Sequence, residues 1–440
     1  MKKSGSAVTY FNQPNSSPNK NNGDVINVVL VDDSSVVRSV LSNWFIEDTE
    51  IQLSGIYTDG QKLVDALPSL KADIIILDIE MPRMDGITAL PHILKAMPDV
   101  DVIIASSLSR RGAEITMKAL EKGAKDYIAK PSVGHRSDIR EQFQNDLISK
   151  IKLLYSEKKS KHNKKLRSNS FKSFNNSDRK TLQPTDTKLS RKNNALKDNA
   201  TSNMIKSKEN PPVSSKPVLK SPVAIKSPSI SNLKIYSKPD IIVIGSSTGG
   251  PTALVELFEN ISAVIDTTPI LIAQHMPPMF TQIMAEHLAR TCKRPVFEPS
   301  DGDFLSPGKA YVAPGGKHMG IVQKGARIAI EINENPPIAH CRPSVDYLFK
   351  SVAAIYGSNT LGIILTGMGS DGAEGSLNIK EKGGEILVQD KESSAVWGMP
   401  HAACTIGAEP EILTIAEISN HLNLNRKVNA YEPRARTISL

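Results

Sequence analysis

Cysteine is nearly absent: three residues in 440, at 292, 341 and 404. They are odd in number and far apart. That excludes a disulfide framework and the paired spacing of a cysteine-built zinc site, and it fits a reducing compartment. No apolar run approaches the roughly 18 residues of a membrane helix. The first twenty residues lack the apolar centre of a secretory signal. A cytoplasmic protein is expected. Aromatic residues make up only 5% of the chain, against a net charge of +8. The charge would suit nucleic acid, but it is unevenly placed. Residues 156–238 hold 20 Lys/Arg against 5 Asp/Glu, so the remainder is acidic, with a net charge of −7. Aromatic interleaving within the basic stretch is limited to Phe171, Phe174 and Tyr236. It is therefore expected to be a solvated linker, with no nucleic-acid partner.

What is present divides the chain into two folded parts. Residues 1–24 are Asn/Ser/Lys-rich and have little to bury, as expected of a disordered tail. From 25 to 150, short apolar strands ("VINVVLVDD", "ADIIILDIEMP", "DVDVIIASSLS", "AKDYIAKPS") alternate with amphipathic stretches. In the first of these, Val37, Val40, Leu41 and Trp44 keep helical spacing. Strands alternating with helices predict a doubly wound parallel sheet. Residues 151–238 are Ser/Lys/Asn/Pro-rich, as expected of a disordered linker. The alternation resumes over 239–425 with "IIVIG", "PILIAQH", "KAYVAPG", "TLGIILTG" and "GEILVQD". Residues 426–440 form a polar tail. The fold class is α/β throughout.

In an open parallel sheet, ligands bind beyond the carboxyl ends of the strands. In the first domain those ends carry Asp32, Asp33, Asp78, Ser106 and Lys130. Three carboxylates on one rim repel each other unless a cation joins them, and oxygen donors suit Mg²⁺. A lysine and a hydroxyl complete a site for a phosphoryl group.

The second domain opens on "GSSTGG", between an apolar strand and a helical pattern. Gly245 and Gly250 have the glycine spacing of a P-loop, but Pro251 and Thr252 stand where Lys and Ser/Thr are required. The dinucleotide fingerprint is absent too. "GSSTG" does fit a nucleophile turn with Ser247 at its centre. A nucleophilic serine needs a base, and the base needs an orienting partner. His275 follows the strand "PILIAQ", and Asp371 follows "LGIIL" in a glycine-rich turn. All three residues fall on one predicted rim. The order Ser, His, Asp differs from the α/β-hydrolase order.

These stretches carry two resemblances. "VDDS", "LDIEMPRMDG", "ASS" and "KP" resemble the receiver domain of two-component response regulators, a flavodoxin-like doubly wound sheet. "GSSTGG", "QHMPP", "YVAPGG", "HCRPSVD", "LTGMGSDGA" and "SSAVWGMP" resemble the doubly wound catalytic domain of chemotaxis protein-glutamate methylesterases. The first resemblance implies that Asp78 takes a phosphoryl group from a chemotaxis histidine kinase. Asp32, Asp33 and Asp78 would hold Mg²⁺. Ser106 and Lys130 would contact the phosphoryl oxygens, and Tyr127 would be the switching aromatic. Lys130–Pro131 is a candidate cis bond.

The second resemblance implies Ser247 as nucleophile, His275 as base and acid, and Asp371 as orienter. The Met368 N–H would serve the oxyanion, and Thr248 would assist positioning. No cofactor is implied in the esterase site. Ser370 departs from the asparagine frequent in relatives. His318 and the His340–Asp346 stretch are expected to shape the cleft, and His401 is a further competing histidine. The implied substrates are γ-glutamyl methyl esters of methyl-accepting chemotaxis receptors, with glutamine deamidation as a second activity. The implied place of work is membrane receptor arrays. The unphosphorylated receiver would cover the Ser247 rim. A linker of about 80 residues reaches only about 50 Å, so that cover is expected to be weak. A DNA-binding regulator would need a helix-turn-helix in the second domain, and a non-catalytic adaptor would leave Ser247 inert to serine-directed reagents.

Overall fold

A computed structural model describes residues 25–130, 137–177 and 238–429. The first domain is a five-stranded parallel sheet in the order β2-β1-β3-β4-β5. Its strands are β1 (Ile26–Val31), β2 (Ile51–Tyr57), β3 (Ile74–Asp78), β4 (Asp101–Ser107) and β5 (Asp126–Lys130). Between and after them run α1 (Ser35–Glu47), α2 (Gly60–Ala66), α3 (Gly86–Ala96), α4 (Arg110–Glu121) and α5 (Ser137–Ser177). Local chemistry starts four of these helices. The side chains of Ser34, Asp59, Asp85 and Ser109 each accept a first-turn N–H, the group a helix leaves unpaired. The central strands β1 and β3 are buried on both faces, as parallel strands between helical layers must be.

Helix α5 runs past the domain boundary expected at 150 and through the first part of the expected linker. Leu147, Ile151 and Leu154 explain this: they fall at helical spacing and are buried in the first-domain core. The stripe that holds the helix down simply continues. Residues 178–237, which include the rest of the linker, lie outside the described residues, as do residues 1–24 and Pro131 of the candidate cis bond.

The second domain is built on a seven-stranded parallel sheet in the order β14-β13-β12-β6-β7-β9-β8. Strand β6 (Ile241–Ser246) leads to α6 (Gly250–Phe258), the short α7 (Ser262–Ile265), β7 (Ile270–Gln274) and α8 (Phe280–Cys292). Next come β8 (Val296–Phe297), β9 (Ala310–Val312) and an antiparallel hairpin, β10 (His318–Lys324) with β11 (Arg327–Asn333). The chain then returns through α9 (Val345–Tyr356) to β12 (Thr360–Ile364), α10 (Ala373–Glu381), β13 (Glu385–Gln389), α11 (Gly398–Thr405) and β14 (Glu411–Leu413). Helix α12 (Ile415–Asn429) passes the expected end at 425. From β6 the chain moves outward in one direction through β7, while β12 and β13 lie on the other side. The switch point of the sheet therefore falls at β6/β12, where an open α/β sheet leaves a crevice.

The two domains pack as one compact unit through Lys161 and beyond the linker. Between α4 and α8, Arg110 pairs with Glu286 at 2.8 Å, and His287 Nε2 lies 2.8 Å from Glu121. Tyr127 stacks on Phe280, with ring centroids 5.1 Å apart.

Close packing at the switch point has a measurable consequence. A Cβ on Gly245 would lie 2.3 Å from Val345 Cγ1, at the start of α9. Gly245→Ala is expected to destabilise the protein by about 1–3 kcal/mol through overpacking. An unchanged denaturant midpoint would contradict this packing.

Candidate active site

Each candidate catalytic residue follows a strand of the switch-point crevice: Ser247 after β6, His275 after β7, Asp371 after β12. Strand register makes the first two neighbours, because Ser246 is the partner of Gln274 and the His275 N–H donates to the Ser246 carbonyl at 3.1 Å. The turn after β6 is pinned from several sides. The Ser246 hydroxyl donates to Gln274 Oε1 at 2.6 Å, and Gln274 Nε2 donates to the Ser247 carbonyl at 2.9 Å. The Ser247 N–H donates to Thr366 O, and the Thr366 hydroxyl donates to Thr248 O at 2.9 Å. Gly249 sits in the left-handed region with φ 74°, so the chain can reverse into α6 within three residues.

Asp371 is buried and fully bonded. Oδ1 accepts from the Ser344 hydroxyl at 2.8 Å and from the Asp346 N–H at 3.0 Å. Oδ2 accepts from the Val345 N–H at 2.7 Å and from His275 Nε2 at 2.8 Å. The carboxylate thus sits on the N-terminus of α9, where unpaired N–H groups and the helix dipole favour negative charge. Ser344 is itself braced: its N–H donates to His318 Nδ1 at 3.2 Å, and His318 Nε2 donates to Pro336 O. His318 is buried against Tyr347, and burial lowers its pKa, keeping it a neutral bracket. His340 and His401 are exposed and take no part in this chain of bonds.

With Nε2 held by Asp371, the nitrogen left to face the crevice is His275 Nδ1. Its described neighbour is Cys341 Sγ at 3.7 Å. Burial pulls the His275 pKa down, but Asp371 and then Cys341 outweigh it, and the pKa rises to about 9. The resting imidazole is therefore the cation of an ion pair. Among the described residues the Ser247 hydroxyl and the Met368 N–H make no hydrogen bond, whereas the Gly367 N–H is spent on Val396 O. The structure thus joins His275 to Asp371 and sets Ser247 on the adjoining strand end. Thr248, within the turn, is buried.

The first-domain rim brings its predicted residues together as well. Lys130 Nζ lies 2.7 Å from Asp32 Oδ2 and 2.8 Å from Asp78 Oδ2. Asp32, Asp33 and Asp78 each offer an oxygen within 4.8 Å of the others, a hard donor set that fits a divalent cation such as Mg²⁺. Burial raises the Asp78 pKa, Lys130 opposes this, and Asp32 adds to the rise. A cavity of about 380 Å³ opens beside Asp78, lined also by Ser106 and Lys130. Tyr127, in β5, is buried and stacked on Phe280 as above.

Three site residues lie within the quoted motifs but were given no individual role there: Gln274 in "QHMPP", and Cys341 and Ser344 in "HCRPSVD". Gln274 directly precedes His275, and Ser344 sits in an N-cap position before "VDYLF", which was the available cue.

Asp371→Asn is expected to move the His275 titration from about 9 to lower pH, because the largest raising influence is lost while burial remains. Imidazole proton resonances followed against pH check this; an unmoved titration would contradict the ion pair. By the same linkage, the pair stabilises the fold fully below about pH 6.5, and that contribution is lost as pH rises through about 9.

A family-wide sequence description, CheB methylesterase, matches residues 242–422, and a second, response regulator receiver domain, matches residues 28–144. The protein-glutamate methylesterase/protein-glutamine glutaminase of group 2 operon from Bradyrhizobium diazoefficiens is 38% identical over 406 residues, covering 90% of this chain and 93% of its own. A Rhodopseudomonas palustris protein-glutamate methylesterase/protein-glutamine glutaminase is 37% identical over 397 residues, 90% of this chain and 93% of its own. The crystal structure of the Thermotoga maritima CheB methylesterase catalytic domain is 36% identical and covers 44% of this chain and all of its own, with a TM-score of 0.41.

Proposed function

The chain belongs to the protein-glutamate methylesterase/protein-glutamine glutaminase family, and from that premise we propose that Ser247, His275 and Asp371 perform its acyl transfer under control of the first domain. The observation that carries the assignment is the His275–Asp371 bond of 2.8 Å at the switch-point crevice beside Ser247.

Once His275 has lost its Nδ1 proton to solvent, the neutral imidazole takes the Ser247 proton at Nδ1 as the hydroxyl attacks the γ-glutamyl methyl ester carbonyl of a chemotaxis receptor. Asp371 fixes the ring with Nε2–H toward itself and stabilises the imidazolium that forms. The carbonyl oxygen becomes an oxyanion, served by the Met368 N–H, a donor with no partner among the described residues. The imidazolium returns the proton to the leaving methoxide, and methanol departs. Water then attacks the acyl-serine with His275 as base, giving glutamate and free Ser247. A glutamine side chain follows the same course with ammonia as leaving group.

Control by the first domain follows from contact between the domains. Tyr127 stacks on Phe280 at the head of α8, five residues after His275. Met368 and Ala395 pack against the apolar cluster that holds Leu147, Ile151 and Leu154. A phosphoryl group on Asp78, supplied by a histidine kinase, would draw Ser106 and Lys130 toward its oxygens. That displaces Lys130 from its pairs with Asp32 and Asp78 and biases the β5 face against α8. Mg²⁺ held by Asp32, Asp33 and Asp78 would neutralise the incoming phosphoryl charge. The chain contains no helix, among the described residues, long and apolar enough to cross a membrane. Its work on receptors requires it to come to them at their arrays.

Methanol release from methylated receptor membranes tests this reading. Ser247→Ala is expected to lose at least ~10⁴-fold in rate. A phosphodonor should stimulate only chains that keep Asp78, so Asp78→Asn stays at the basal rate. With the His275 pKa raised to about 9, kcat/KM should climb with pH from neutrality toward that value. Wild-type release from Ser247→Ala would remove the triad, and stimulation of Asp78→Asn would remove the phosphoacceptor.

A further inference from the structure

Cys341 is placed where a catalytic centre has no evident need of a thiol. It closes a two-residue turn: Ile338 and Cys341 exchange backbone hydrogen bonds at 3.2 and 2.8 Å. The two residues between them, Ala339 and His340, both have positive φ, 48° and 64°. A turn of this kind ordinarily takes Asn-Gly, since side chains are strained there. The turn carries Sγ to 3.7 Å from His275 Nδ1, with both residues partly open to solvent.

From this pair we infer that the active site contains an inhibitory site for a thiophilic divalent cation, zinc above all, held by Cys341 Sγ and His275 Nδ1. Three features support it. The spacing fits: Zn–S of about 2.3 Å and Zn–N of about 2.0–2.1 Å at a tetrahedral angle put the two ligand atoms about 3.6 Å apart. The donors fit, because thiolate and imidazole are the pair that selects zinc over magnesium. The support for the imidazole is already built, because Asp371 on Nε2 aims the ring and raises its basicity, as carboxylates do behind metal-bound histidines. Asp371 itself is no ligand: both its oxygens are occupied by donors. Water fills the remaining positions.

Binding releases both the thiol proton and the His275 Nδ1 proton to solvent, so it tightens as pH rises, and it ties up the Nδ1 lone pair. The consequence for activity rests on the assignment of His275 Nδ1 as base; the site itself does not. A bound cation would leave Ser247 without a proton acceptor, giving reversible inhibition that a chelator lifts.

The test uses the full chain with Mg²⁺ in excess, so that the all-oxygen set of Asp32, Asp33 and Asp78 stays engaged. Cobalt(II) serves as the spectroscopic probe, because a thiolate–cobalt charge-transfer band cannot arise from carboxylates. Zinc serves as the inhibitor in the methanol-release assay. The wild type and Cys404→Ser are expected to show the band and to be inhibited by zinc. Cys341→Ser should lose the band and bind zinc at least ~10-fold more weakly, the smallest loss expected when a ligand rather than its support is removed. No band in the wild type would overturn the site, whatever the variants do. Inhibition undiminished in Cys341→Ser, or a band that vanishes with Cys404 instead, would overturn its location. A Cys341-dependent band without inhibition would leave the site standing and overturn His275 Nδ1 as the base.

Discussion

The bond from His275 Nε2 to Asp371 decides what the rest of the second domain can do, since it chooses which imidazole nitrogen faces the crevice. Such a bond needs a carboxylate that stays charged while buried, and burial alone would protonate it. His275 and the N-terminus of α9 prevent this. His275 contributes most, and the Asp346 and Val345 N–H groups add to it, so the Asp371 pKa is held below the usual carboxylate value against its burial. Asp346, in the first turn of α9, shows the contrast: burial raises its carboxyl to about 6, the Gly375 N–H offsets this only in part, and the Asp371 charge adds to the rise. Helix α9 thus does for an anion of the protein what helix N-termini do for bound phosphates.

Both domains obey one topological rule at two sites. In the first, Asp32 and Asp33 follow β1 and Asp78 ends β3, the pair of strands between which the order reverses. In the second, Ser247 and Asp371 follow β6 and β12, which stand in the same relation. One rim gathers three carboxylates and a lysine, and the other gathers the ion pair on which the proposed acyl transfer rests. The β5–α4 side of the first domain lies on α8 of the second through Tyr127 and Phe280, so a change at Lys130, at the end of β5, has a short route to the loop after His275.

Much of this was legible in the sequence because strand-end residues are set by period and turn chemistry. Runs such as Ile74–Leu77 leave no choice but a buried strand, and the residue after such a run lies on the rim. The omissions have physical causes. Strand β2 is an edge strand with alternate exposure and a glycine at 55, so it shows no buried run. The β10–β11 hairpin carries glycine at 320 and exposed polar residues at its turn, so its buried run is confined to the first half of β10 and a short piece of β11. The basic composition after residue 150 hid the apolar stripe of α5, since Ile151 and Leu154 are few among lysines. Cys341 could not be seen beside His275, because sixty-six residues and a strained turn separate them in the chain.

The central claim is that Ser247 is the nucleophile activated at this crevice, and a fluorophosphonate serine-directed reagent with peptide mapping tests it most directly. The account predicts a single labelled residue, Ser247, with labelling slowed when Asp371 is replaced by Asn. Absence of label at Ser247 in a chain that still releases methanol, or label carried by Cys341 in its place, would contradict it.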